Sequence, residues 1–165
     1  SMTSNREKTS KESFKYKDRI ILIDSSLLML PVAGKRRQLN IEEALYSASE
    51  GGLLAILDST LEELKILREK AKGKKKLAAD FALELIKRMK LPVLYVDEID
   101  PNIRREVEEL KKKLKKWEVH DEILARAAEK INAIVATTDM ELVRRLRKRG
   151  VPVLYLRAGK WFVIE

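Results

Sequence analysis

Apolar residues in this chain gather in short runs separated by longer stretches of helical period. The runs lie at 20–24, 53–57, 93–96, 133–136 and 151–156, and each meets a polar residue at its carboxyl end. They are rich in Ile, Leu and Val and read as strands. Between them, Leu61, Leu64, Leu67 and Ala71 share one helical face, and Leu77, Phe81, Leu85 and Met89 share another. Val107, Leu110, Leu114 and Trp117 predict a further helix, as do Leu124, Ala127, Ala128 and Ile131, and then Leu142, Val143 and Leu146. Gly150 is placed to stop that last helix at C′, just ahead of Pro152. Strands alternating with helices predict an α/β fold: a three-layer α/β/α sandwich with a central, mainly parallel sheet of about five strands.

Residues 1–17 break the pattern, being polar, basic and without period. They are expected to form a flexible basic tail ahead of a single domain over 18–165. Three lysine- and arginine-rich clusters interrupt or flank the predicted helices. "GKRRQ" at 34–38 falls in a loop, "KGKKK" at 72–76 separates two helices, and "KKKLKK" at 111–116 is expected on the polar side of a helix.

Composition narrows the chemistry. Of 165 residues 45% are hydrophobic and 37% charged, so a real core sits under a heavily ionised surface. There is no cysteine and only one histidine, His120, which removes thiolate and multi-histidine metal sites. No apolar run approaches the roughly 20 residues that span a bilayer, and no signal peptide is legible, so the cytoplasm is the expected location. The net charge of +9 favours a polyanionic partner.

Carboxylates recur where strands end. Asp24 closes "RIILID"; Glu62 and Glu63 follow the second run and are expected in the first turn of a helix; Asp139 follows "AIVATT"; Asp121 opens the helix leading into that strand. Carboxyl ends of parallel strands share one edge of the sheet, where ligands bind, so these acids are expected to gather there. Each alone is equally a helix-start residue, favoured by the positive helix terminus. Thr60-x-x-Glu63 and Thr138-x-x-Glu141 fit the capping box, and Ser25, Ser26 and Thr137 are natural caps. Four acids converging need a cation between them, because like charges a few ångströms apart repel by several kcal/mol at an effective dielectric near 20. A histidine-free oxygen set suits Mg²⁺ or Mn²⁺.

In order along the chain, "IDSSLL", "STLEEL", "HDEILARAA" and "VATTDMEL" resemble the PIN domain, a family of metal-dependent ribonucleases. The spacing from Asp121 to Asp139, with the small-residue helix "ILARAA" between, matches that family's third and fourth acidic positions. The tail "VATTDMELVRRLRKRGVPVLYLRAGKWFVIE" resembles the Fcf-type branch of ribosomal RNA processing, where "TxDxxLxxxLxxxGxPxxYL" precedes a short closing strand. The same motifs are more distantly similar to VapC-like toxins.

The likeness covers about residues 19–165 and implies a PIN-like fold and metal-assisted hydrolysis of RNA, leaving 5′-phosphate and 3′-hydroxyl ends. By it Asp24, Glu63, Asp121 and Asp139 are the metal-holding catalytic acids: Asp24 and Asp139 ligate directly, and Glu63 and Asp121 act through water or on a second ion. Thr137 ties down the turn beside Asp139, with Ser25 and Ser26 in support. Two positions depart from the family. Its Asp-Thr-Asn is here Asp24-Ser25-Ser26, and the Fcf-type pair of acids is here His120-Asp121, with His120 expected as an exposed neighbour of the helix cap.

Four carboxylates repel RNA, so flanking cations are required, and Lys35, Arg36 and Arg37 are the candidates nearest the Asp24 edge. The lysines of 111–116 are read first as a solubilising surface. Trp161 and Phe162, on a terminal apolar run, are expected in the core or a dimer interface. A metal-dependent endoribonuclease of ribosomal RNA processing is the leading reading, with a VapC-like toxin, or an inactive scaffold binding RNA or a protein, as the alternative. Its partners would be RNA, a second copy, and a ribosome-assembly or antitoxin protein. A haloacid-dehalogenase-like phosphotransferase needs a second Asp where Ser26 stands, and a receiver domain needs adjacent acids that are absent.

Overall fold

Ile21 and Ile23 face one side of their strand and Leu22 the other, and all three are fully buried. Such a strand must lie inside a sheet covered on both faces. The computed structural model describes residues 5–9, 17–33, 40–116 and 118–165. In chain order its elements are β1 (Asn5–Glu7), β2 (Ile20–Ile23), α1 (Ser25–Ala33), α2 (Ile41–Ala48), β3 (Leu53–Leu57), α3 (Asp58–Lys70), α4 (Lys74–Met89) and β4 (Val93–Leu94). There follow α5 (Val96–Ile99), α6 (Ile103–Leu110), α7 (Glu118–Lys130), β5 (Ile134–Thr137), α8 (Met140–Lys148), β6 (Val153–Arg157) and β7 (Lys160–Ile164).

The sheet runs β1-β7-β6-β5-β2-β3-β4. The five expected strands, β2 to β6, are mutually parallel; β7 returns antiparallel on β6, and β1 lies antiparallel on β7. Strand order proceeds one way from β2 through β3 to β4 and the other way through β5 to β6. The switch point, where the loops above the sheet diverge to open a crevice, therefore lies between β2 and β5.

Residues alternate between two cores. Ile21, Ile23, Ile56 and Ile134 pack with Leu27 and Leu28 of α1, Leu45 of α2, Leu64 of α3 and Leu85 of α4. Leu22, Ala55, Leu57 and Val135 pack on the other face with Val96, Val107, Leu124 of α7 and Leu146 of α8. Burying each Ile or Leu contributes about 1.5–3 kcal/mol relative to exposure. Trp161 is a core residue as expected, 8% exposed, its indole Nε1 donating to Ala44 O at 3.1 Å. Gly150, at φ 70°, follows the α8 C-cap in the left-handed conformation open to glycine. No described helix is long and apolar enough to cross a membrane.

Three local expectations are corrected. Asn5–Glu7, placed in the flexible tail, pairs with β7, and Lys8 N–H extends the contact by donating to Trp161 O at 2.9 Å. The run at 93–96 yields only a two-residue strand, because the chain turns into α5 at Val96, whose N–H donates to the Asp58 carboxylate at 2.9 Å. The helix of Val107 ends at Leu110, and residues 111–116 form turns. Lysines three and four apart repel on a helix face, and Leu114 is the one apolar residue among them. The sheet of about five strands that the sequence implies holds seven: β7 is the short closing strand that the tail's resemblance implies, and β1 is a three-residue edge strand too short to carry a period.

Candidate active site

Asp24 is the first residue beyond β2. Its backbone N–H donates to Ala136 O at 2.9 Å, continuing the β2–β5 ladder, so its place at the switch point is set by the sheet. The side chain is 6% exposed. Its Oδ2 accepts from Ser26 Oγ at 2.6 Å and from Thr137 Oγ1 at 2.7 Å. Thr137, fully buried at the end of β5, also accepts the Asp139 N–H at 3.0 Å. Ser26 Oγ accepts the Thr138 N–H at 3.3 Å. Three hydroxyl and amide links thus join the end of β2 to the end of β5, and Asp139 stands beside Asp24. Ser26 spans the two loops although it lacks the family's amide.

Glu63 and Asp121 complete the group. Burial raises the Asp24 carboxyl above the usual range, and the neighbouring Asp139 charge raises it further against the two hydroxyl bonds. Glu63 is pushed up to about 7, first by burial and then by Asp24, while the Ser25 hydroxyl and the Lys75 ammonium pull it down. Asp121 is pushed up to about 8, first by burial and then by Asp24, Asp139 and Glu63, with Arg145 opposing. Each of the four acids is thus within electrostatic reach of at least one other, and Asp121 senses all three.

The donor set is all oxygen, partly buried and mutually repulsive, which is the environment a hard divalent cation satisfies. Among the described residues, no group of three or more such side chains is arranged to hold a metal ion as it stands. The fit lies in charge and donor chemistry, and the carboxylates stand apart.

The capping readings sort themselves out. Asp139 is a true N-cap of α8, its Oδ1 accepting the Glu141 N–H at 2.9 Å, so its capping reading holds. The Thr138 capping box does not form, because Thr138 Oγ1 instead donates to Leu156 O at 3.0 Å. Nor does the Thr60 box: α3 starts at Asp58 directly after the strand, which moves Glu62 and Glu63 into its second turn. Asp58 itself is taken up by the Val96 N–H and by Arg104, whose guanidinium also reaches Glu62.

His120 is corrected from exposed to half-buried. Its Nδ1 is enclosed without a hydrogen-bond partner among the described residues. Burial holds its pKa below the ordinary value, with Glu62 raising it and Arg104 lowering it. Lys35, Arg36 and Arg37 lie outside the described residues. Sequence reasoning missed the cations that stand by the acids. Lys75 faces Glu63, and Lys115 and Arg145 line a cleft of about 380 Å³ with Glu118, Asp121, Asp139 and Glu141. Nothing in local spacing marks them, since they approach only through tertiary packing.

The fold is that of PIN-domain structures. It matches the structure of VapBC2 from Rickettsia felis bound to a promoter DNA fragment with a TM-score of 0.59, at 17% identity over 84% of this chain and 99% of that one. It matches the PIN domain endonuclease Utp24 with a TM-score of 0.56, at 19% identity over 88% of this chain and 90% of that one. No family model matches the chain. Ribonuclease VapC9 of Archaeoglobus fulgidus is 30% identical, over 90% of this chain and 91% of its own length. The chain belongs to the VapC-like family of PIN-domain ribonucleases.

Proposed function

We propose that this protein is a metal-dependent endoribonuclease that hydrolyses RNA phosphodiesters as the toxin of a toxin–antitoxin pair, with Asp24, Glu63, Asp121 and Asp139 as its metal-holding acids. The observation that carries the reading is the mutual electrostatic strain of these acids at the switch point. A bound Mg²⁺ or Mn²⁺ supplies a water of lowered pKa and neutralises phosphate charge. The chain's own residues do the rest. Thr137 and Ser26 hold the Asp24 carboxylate in one orientation, Ser25 hydrogen-bonds Glu63, and the α8 cap fixes Asp139. Kinship with a VapC ribonuclease, and the shared shape of VapBC-5 from Mycobacterium tuberculosis, a member of the VapBC family of toxin-antitoxin systems, support the toxin role and an antitoxin protein as partner. Ribosomal RNA maturation is a second reading, supported by the "TTDMELVRRLRKRGVPVLYL" tail and the shared shape of Utp24.

Thermal unfolding with increasing Mn²⁺, alongside cleavage of single-stranded RNA, tests the proposal. The parent should be stabilised by the ion and cut RNA, while Asp24→Asn and Asp139→Asn should lose cleavage and most of the stabilisation. A parent that gains no stability from Mn²⁺ and cuts no RNA is the inactive scaffold instead.

A further inference from the structure

We infer that Lys74, Lys75 and Lys76, at the start of α4, seat the phosphodiester backbone of single-stranded RNA on the Glu63 side of the acidic edge. The inference rests on the nuclease reading and names the residues that let a polyanion approach a cluster of acids. Topology sets the position. Met89 passes through 90–92 into the amino end of β4, so the opposite end of α4 lies toward the carboxyl edge, where the acids are. The Lys75 ammonium is close enough to Glu63 to draw its carboxyl down against burial.

Availability distinguishes these lysines from the other cations near the site. Arg104 is held by Asp58, Glu62 and Asp97. Arg126, Arg145 and Arg149 are held by Glu122. Lys74, Lys75 and Lys76 are exposed, and no ion pair among the described residues engages them. Their first turn also lacks any acid. Ammonium groups are mobile point charges that meet phosphate without base readout, so the seat fits backbone of any sequence.

The test uses the full chain carrying Lys74→Gln, Lys75→Gln and Lys76→Gln, with Lys112→Gln and Lys113→Gln as the control. Binding to a fluorescein-labelled single-stranded RNA of mixed sequence is measured against salt in an Asp139→Asn background, and cleavage kinetics in the active one. Loss of three phosphate contacts should flatten the slope of log K against log salt by roughly 2. KM should rise with kcat held within about twofold, since uniform binding is removed. The Mn²⁺-dependent stabilisation should be retained or rise, since Lys75 opposes a cation at Glu63, and the control should keep the parent slope. An unchanged slope and KM while the parent cleaves RNA overturns the lysine seat alone. A collapse in melting temperature or in Mn²⁺ stabilisation overturns it in favour of a structural role. A parent that neither binds nor cuts RNA overturns both this inference and the nuclease reading.

Discussion

The Thr137 hydroxyl donates to Asp24 and accepts from the Asp139 backbone, so one small side chain sets the relation between the first and fourth acids. Removing it leaves the buried Asp24 carboxylate short of a donor and the Asp139 amide short of an acceptor. Thr137→Ala should cost about 1–3 kcal/mol in urea unfolding and reduce cleavage roughly 10–100-fold, as losses of supporting contacts around metal ligands do. Thr137→Ser should recover most of both, because the hydroxyl is what acts. Asp24→Asn is expected to behave in the opposite sense on stability: cleavage is lost, and the melting temperature holds or rises as a buried like charge disappears. A large drop would instead assign Asp24 a structural role.

At the scale of elements, the site depends on how α7 and α8 are locked together. Glu122, 4% exposed, accepts from Arg126 on its own helix, from Arg145 on α8 and from Arg149 at the α8 C-cap, while Arg126 reaches Glu106 on α6. Asp121 is its neighbour in sequence, so this hub fixes the end of α7 that enters the acidic group. Glu122→Ala removes the shared carboxylate but leaves Arg126 with Glu106, Arg145 with Glu118 and Arg149 with Glu129, so it should destabilise by about 1.5–3 kcal/mol in urea, as loss of hydrogen bonds between charged groups does. A change near zero would show that solvent replaces the carboxylate. The Lys111–Lys116 stretch illustrates how elements escape sequence reading: Leu110 and Leu114 have helical spacing, but repulsion among lysines ends the helix at Leu110.

The molecule as a whole carries the charge of its acidic edge as a dependence of stability on pH. Glu63 and Asp121 have ordinary values of 4.5 and 3.8 and folded values of about 7 and about 8. Between those limits the folded state binds more protons than the unfolded one, so metal-free stability falls as pH rises. The melting temperature without divalent ions should therefore decline from about pH 5 to about pH 8. Asp121→Asn should flatten that decline, and saturating Mn²⁺ should reverse it by neutralising the same charges. A metal-free melting temperature that climbs over this window would contradict the mutual strain of the acids.

What the sequence determined by itself is the layer architecture and the gathering of Asp24, Glu63, Asp121 and Asp139 at one edge of the sheet. Runs such as 20–24 and 133–136 are local in origin, and their ends place Asp24 and Asp139 at one edge by the geometry of parallel strands alone. Sequence pointed to Glu63 by resemblance but could not say what engages Asp58, which follows β3 directly, because that depends on a partner: Arg104, 46 residues away, holds it. It was silent on the approach of Lys75 to Glu63, and it misplaced His120 as exposed and Asn5–Glu7 in a flexible tail. Those were decided only by tertiary structure, since a side chain's charge state and partners depend on residues remote in sequence that the fold brings within a few ångströms.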